Sequence, residues 1–270
     1  LWRWSNDNPE NFWESIVEYF NIHLEKKRSF KAFNKKNFFW NSTFFNNCNL
    51  NYYDLIYKNN SLDIAIEFIG ENKYKEVITY GNLNRRVNAL SNFFQGLGIK
   101  KGDVVVGYLP NIPDTIISFL SAAKIGAVWS SCSADFGTQA VIDRFSQLKP
   151  KLLIIADHYF YNGKKFDYSK NLRLLKQKLN NPRILKTSYP SNKSTSQLKK
   201  IISQKKYKRI NEHVLLDFNH PLYVLFSSGT TGLPKCITHG HGGSLLQHLK
   251  ELALHTNVKS KDKMFFLTTC

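Results

Sequence analysis

The stretch LYVLFSSGTTGLPK, residues 222–235, decides how the rest of the chain is read. Its first half, ending at Phe226, is a short continuous apolar run, the pattern of a buried sheet strand. Its second half crowds Ser227, Ser228, Thr230 and Thr231 around Gly229 and Gly232 and closes on Pro234 and Lys235. Glycines let the backbone turn with its N–H groups exposed and no Cβ in the way. Each hydroxyl can donate to a phosphate oxygen, and the lysine adds a mobile positive charge. A strand followed by such a bend predicts a phosphate-cradling loop at the carboxyl end of a sheet strand, where open α/β sheets take their ligands. It is not a Walker loop, which needs Lys directly after its second Gly and a hydroxyl residue next; here Leu233 and Pro234 intervene and Cys236 follows. No G-x-G-x-x-G occurs, so a dinucleotide fingerprint is also absent.

Upstream of this stretch the chain alternates between two periods. VVVGYL (104–109), AVWSSC (127–132) and KLLIIAD (151–157) are apolar runs suited to buried parallel strands. Between them lie PDTIISFLSAAKIG (113–126), with Pro113 in its first turn and Gly126 at its end, and TQAVIDRFSQLK (138–149). Before them LNRRVNALSNFFQGLGI (83–99) puts Leu83, Val87, Leu90 and Phe94 on one helical face, with Gly96 and Gly98 as its stop. Repeated strand–helix–strand units give right-handed crossovers, so the fold class is α/β, with parallel-sheet layers and flanking helices. DIAIEFI (63–69) and EVITY (76–80) predict a hairpin. Near the start, Phe12, Trp13, Ile16, Val17 and Phe20 form a helical stripe, with Pro9 in the first turn and Asn8 as cap. Residues 24–47 are basic and aromatic and are expected to wrap irregularly. Residues 164–213 read as an elaborated, Lys-rich surface region, with a weak apolar interruption at RILKTSY (183–189).

The 270 residues are 42% apolar and 21% charged, an ordinary globular composition, with a net charge of +18. That charge admits a basic nucleic-acid-binding module, but the basic residues are spread rather than blocked, so nucleic acid is not expected as a partner. The same charge would attract small polyanions. No apolar run approaches the roughly 20 residues that span a bilayer, so no membrane partner is expected. Cys48, Cys132, Cys236 and Cys270 lack metal or redox spacing and are expected as free thiols in a reducing cytosol, which points to a cytoplasmic location. His239 and His241, two apart with no carboxylate or thiol beside them, make a poor zinc site, and no protein side chain is identified as a metal ligand. Asp135, Asp143 and Asp157 are read as capping rather than catalytic residues.

SSGTTGLPK resembles the Ser/Thr/Gly-rich signature of the adenylate-forming enzymes, which include acyl-CoA synthetases, luciferases and peptide-synthetase adenylation domains. The family pattern runs Tyr-Thr-Ser-Gly-Ser/Thr-Thr-Gly-x-Pro-Lys-Gly, and this chain departs from it at Phe226 and Cys236. Residues 108–157, YNGKKFD (161–167) and 226–270 resemble the acetoacetate-activating branch of the acyl-CoA synthetases; residues 171–213 resemble it least.

The resemblance implies the large N-terminal domain of the adenylate-forming fold, incomplete. Residues 1–50 would be an extension of the acetyl-CoA-synthetase type, and 51–270 an AMP-binding domain truncated at its carboxyl end. It further implies that ATP, Mg²⁺ and coenzyme A take part, with acetoacetate as the acid and acetate or propionate as alternatives. Ser227, Ser228, Gly229, Thr230, Thr231, Gly232 and Lys235 would hold the ATP phosphates. Phe136, Gly137 and Lys164 would contact coenzyme A, although Tyr161 stands near Lys164 where some relatives carry Arg. His239 and Cys270 would line the acyl pocket. The chain starts at Leu1 without a Met and stops within the run MFFLTTC, so both ends read as cut; the family's adenylation lysine and its small C-terminal domain would follow Cys270, and the fragment alone is expected to be inactive.

Overall fold

The computed structural model describes residues 1–38, 41–167, 171–192, 196–207, 212–227, 232–266 and 268. The chain opens with helices α1 (Trp2–Asp7) and α2 (Pro9–Tyr19). The apolar stripe of α2 packs inward through Ile16 and Val17, with Phe12, Trp13 and Phe20 at its margin. Asn8 occupies the cap position of α2 without a side-chain cap bond; its Nδ2 donates instead to the Trp4 carbonyl at 3.3 Å.

Residues 25–34 and 43–47 are regular strand, contrary to the irregular wrap expected for 24–47. They form most of an antiparallel hairpin of β1 (Glu25–Asn34) and β2 (Thr43–Leu50). The register breaks between Lys26 and Lys31, and Ser29, Phe45 and Asn47 carry positive φ. A bulge with left-handed residues interrupts the two-residue alternation by which a strand is recognised, which hid this hairpin in the sequence.

A short helix, α3 (Asp54–Tyr57), leads to the expected hairpin of β3 (Ile64–Ile69) and β4 (Lys75–Thr79). Thr79 caps α4 (Tyr80–Gly96) by accepting from the Asn82 N–H at 3.3 Å. The buried face of α4 is Leu83, Val87, Leu90 and Phe94, and Gly98, at φ +80°, turns the chain away. There follow β5 (Val104–Leu109), α5 (Pro113–Lys124), β6 (Val128–Ser133), α6 (Thr138–Phe145) and β7 (Leu152–Ala156). A small hairpin, β8 (His158–Tyr161) and β9 (Lys164–Asp167), precedes α7 (Leu172–Lys178), β10 (Arg183–Thr187) and α8 (Gln197–Ser203). Last come β11 (Leu216–Asp217), β12 (Pro221–Ser227), β13 (Lys235–Gly240) and α9 (His241–Leu249), which runs into a π-helical turn at Lys250–His255.

The main sheet has the order β10-β7-β5-β6-β12-β13, parallel except for β13. Right-handed crossovers put the helices of opposite steps on opposite faces. Accordingly α4 packs with α5 and α8, while α6 packs with α7. The interruption at 183–189 is thus an edge strand of the main sheet. Leu185 and Thr187 are buried while Arg183 and Lys186 face outward, and α8 covers the region with Leu198 and Ile201. Strand β12 is less buried than its apolar run suggests: Leu222 and Val224 point into the core, but Leu225 is 47% exposed.

A second core joins Ile16, Val17, Phe45 and Leu50 to Phe218, Leu245 and Leu246. β11 pairs with β2, so the first fifty residues are seated on the carboxyl-terminal part of the chain. Between the two cores lies Asn51, fully buried. Its Nδ2 reaches the carbonyls of Val214 (2.8 Å), Ala123 (3.0 Å) and Lys124 (3.3 Å), and its Oδ1 accepts from the Tyr53 N–H at 2.9 Å.

Candidate functional site

Strand β12 delivers the chain to the carboxyl edge of the parallel strands, and β13 returns antiparallel beside it. At the mouth of this hairpin Ser227 pairs with Lys235, and one step back Phe226 pairs with Cys236. The first and last residues of the expected cradle therefore face each other. Gly232 has φ +129°, a conformation that favours glycine, and no heavy atom lies within 4 Å of where a Cβ would stand. Gly232, Leu233 and Lys235 are exposed, so this side of the loop is open to a ligand. Ser228, Gly229, Thr230 and Thr231 lie outside the described residues, as does Cys270.

Phe136 and Gly137 form the turn from β6 into α6, with Gly137 at the helix cap position. The turn is pinned from below by Tyr108, whose hydroxyl donates to the Phe136 carbonyl at 2.6 Å. Burial pushes that hydroxyl's pKa up to about 12, with Tyr159, Cys132 and Asp135 adding to the effect, so it stays a donor. Phe136 is half-buried, and one face of its ring carries the Arg144 guanidinium at 4.8 Å. Gly137 is exposed, with nothing within 4 Å of its missing Cβ. Lys164 is exposed too and opens β9, opposite Tyr161 across a turn in which Asn162 and Gly163 both have positive φ. Two consecutive positive-φ residues are the requirement of a tight hairpin turn. That turn is tied down by Glu71, whose Oε2 accepts from the Gly163 N–H at 2.9 Å. Tyr159 of the same hairpin has its pKa raised by burial and then by Asp135, the neighbour of Phe136. The 133–137 turn and the β8–β9 hairpin are thus adjacent.

His239 sits on β13 with its ring stacked on Tyr223 of β12, at 4.9 Å between centres. Sequence reading did not foresee its surroundings. The Tyr52 hydroxyl and His248 Nδ1 are hydrogen-bonded at 2.9 Å, and Phe119 packs against both Tyr52 and Tyr223. Burial lowers the His248 pKa and His239 lowers it further, while burial and Tyr223 push Tyr52 up to about 12. Burial thus favours the neutral forms of His248 and Tyr52, and with Phe119 and Tyr223 they give His239 an aromatic surrounding. His241 is buried: its Nδ1 accepts the Tyr52 N–H at 3.1 Å, and burial, then His220 and Lys101, push its pKa down to about 3. It is a structural histidine.

The aspartates do not cap helices. Asp157 pairs with His158 Nδ1 at 2.7 Å and accepts from the N–H groups of His158 and Tyr189, and Asp143 accepts from Gln139 within α6. Cys48 and Cys132 are buried free thiols, and Cys236 is an exposed one. Among the described residues no helix is long and apolar enough to cross a membrane.

Residues 60–270 match the family described as AMP-binding enzyme. The chain is 36% identical over 274 residues to the acetoacetyl-coenzyme A synthetase of Rhizobium meliloti (strain 1021), covering 99% of this chain and 42% of that protein. It is 34% identical over 283 residues to the acetoacetyl-CoA synthetase of Gallus gallus, covering 100% of this chain and 42% of that one. The solved structure of acetoacetyl-CoA synthetase from Streptomyces lividans superposes with a TM-score of 0.88 at 32% identity, over 99% of this chain and 42% of that one. The chain thus spans 42% of the length of these relatives.

Proposed function

The chain belongs to the AMP-binding enzymes, and on that premise we propose that the protein is an ATP-dependent acid–thiol ligase which activates acetoacetate and passes it to coenzyme A. A carboxylate is a poor electrophile because its charge is delocalised. In the first step a carboxylate oxygen attacks the α-phosphorus of ATP, and the bond to pyrophosphate breaks. The resulting acyl-adenylate carries a good leaving group. The thiol sulfur of coenzyme A then attacks the acyl carbon, the bond to the AMP oxygen breaks, and AMP departs.

The observation that carries this reading is the mouth of the β12–β13 hairpin, where Ser227 and Lys235 face each other beside an open Gly232 backbone. Hydroxyl, ammonium and backbone N–H groups all donate, so the loop suits the β- and γ-phosphates and stabilises charge that builds on the departing pyrophosphate. Ser228, Gly229, Thr230 and Thr231 belong to the same proposal. Mg²⁺ would supply further charge neutralisation on the phosphate oxygens. The described loop residues offer no carboxylate, so substrate oxygens rather than this loop would hold the ion. Phe136 would offer coenzyme A the ring face away from Arg144, Gly137 a close backbone approach, and Lys164 a charge for its phosphates. His239, in its aromatic setting, would border the acyl group, with Cys270 nearby. The relatives' names favour acetoacetate over acetate or propionate. Residues 51–270 would form the AMP-binding domain and 1–50 its extension, working in the cytosol with a further carboxyl-terminal domain.

The test is ATP–pyrophosphate exchange by the full-length protein with acetoacetate, acetate, propionate and butyrate side by side; acetoacetate is expected to be fastest. Lys235→Ala is expected to raise the KM for ATP roughly tenfold to a hundredfold with little loss of stability. Unchanged ATP kinetics in both Lys235→Ala and Ser227→Ala would remove the loop assignment. Residues 1–270 alone are expected to give no turnover in the same assay.

A further inference from the structure

Helix α6 and the turn after it each send one side chain to the β12–β13 hairpin, Arg144 to Phe226 on the outgoing limb and Gln147 to Pro234 and Cys236 on the returning one. Arg144, near the end of the helix, is half-buried and donates from Nη1 to the Ala140 carbonyl at 2.9 Å. Its guanidinium carbon stands 4.8 Å from the centre of the Phe136 ring and 5.9 Å from that of Phe226. Phe226 is the last residue before the loop. Gln147, in the turn after α6, uses its whole amide: Nε2 donates to the carbonyls of Asp143 (2.8 Å) and Pro234 (3.0 Å), and Oε1 accepts from Cys236 Sγ at 3.6 Å. The outgoing limb is gripped by a cation over an aromatic face, and the returning limb by a planar amide.

These are also the two positions, Phe226 and Cys236, at which the segment departs from the family pattern. A glycine in place of Cys236 would give Gln147 Oε1 no side-chain donor. Strand β13 is the sheet edge, with Lys235–Thr238 exposed, so its near end is held by β12 and by Gln147.

We propose that Arg144 and Gln147 are positioning residues that set the separation of the two limbs, and so the placement of Ser227 and Lys235 toward a bound nucleotide. The inference rests on reading residues 227–235 as the nucleotide-phosphate loop. Small displacements of positioning groups cost large factors in rate. Gly137 caps the start of α6, and Arg144 near its end touches both the Phe136 and the Phe226 rings, so this one side chain links the Phe136 turn to the hairpin.

The test compares the full-length protein with Gln147→Ala, Arg144→Met and Arg144→Lys. Gln147 is exposed, so its replacement leaves the fold intact, and thermal unfolding checks this. Gln147→Ala and Arg144→Met are each expected to raise the Kd and KM for ATP about tenfold, with the KM of the acid within about twofold. Arg144→Lys keeps a cation between the two rings and is expected to recover most of the ATP affinity. Equal rises in both KM values, or unchanged ATP affinity in Gln147→Ala and Arg144→Met, would overturn the inference while leaving the loop assignment standing. Failure of the unmodified protein to bind ATP would overturn both.

Discussion

Lys124 carries an ammonium into the interior at the end of α5. The residue is 4% exposed, its Nζ donates to Asn88 Oδ1 at 2.6 Å, and the Tyr53 ring lies 5.5 Å away. Burial pushes its pKa down to about 8, from 10.5. Between those values the unfolded chain holds a proton that the folded protein has released, so stability rises with pH across that window. Below about pH 8 both states are protonated and the folded state bears the full cost of the buried charge. Lys124→Met is expected to abolish this dependence. Its stability advantage over the unmodified protein should shrink by on the order of 3 kcal/mol between pH 7.5 and 10.5. Urea unfolding at several pH values checks it, and parallel curves for the two proteins would refute it. At this scale the bend out of β12 was legible because its signal is contiguous, an apolar run to Phe226 followed at once by Ser, Thr and Gly. The contacts of Gln147 with Cys236, 89 residues apart, and of Tyr52 with His248, 196 apart, were not. Nothing local in the chain records a partner at that distance.

Among the elements, a buried polar pair links α5 to β10. The Thr187 hydroxyl donates to Asp114 Oδ2, and both residues are buried. Burial raises the Asp114 pKa, and the hydroxyl bond and Lys199 hold it down. Thr187→Val removes the donor from a buried carboxylate and is expected to cost about 1–3 kcal/mol, with Thr187→Ser recovering most of it. A urea midpoint for Thr187→Val within error of the unmodified protein would refute this. The alternation of strands and helices from 104 to 157 was legible because each strand there is a continuous apolar run with a helix of unmistakable period after it. Strand β10 was not, since an edge strand with Arg183 and Lys186 outward shows only two buried positions, Leu185 and Thr187. The β1–β2 hairpin was not because its bulge scrambles the period.

For the molecule as a whole, the second core makes the first fifty residues part of the body that carries α9. Ile16 and Val17 are buried with Phe218, Leu245 and Leu246. Ile16→Ala is expected to destabilise the protein by about 2–4 kcal/mol and to speed amide exchange in α9 as well as in α2. Loss of protection confined to α2 would show that the two regions do not unfold together.

Asn51 gives that arrangement an order in time. Its amide closes on the carbonyl of Val214, 163 residues downstream. A ribosome adding roughly 5–20 residues per second needs about 10–30 s to deliver that partner. Before then the amide can reach only the earlier carbonyls of Ala123 and Lys124, so the seam between the two halves closes in two stages, the second waiting for the chain that leads into β11.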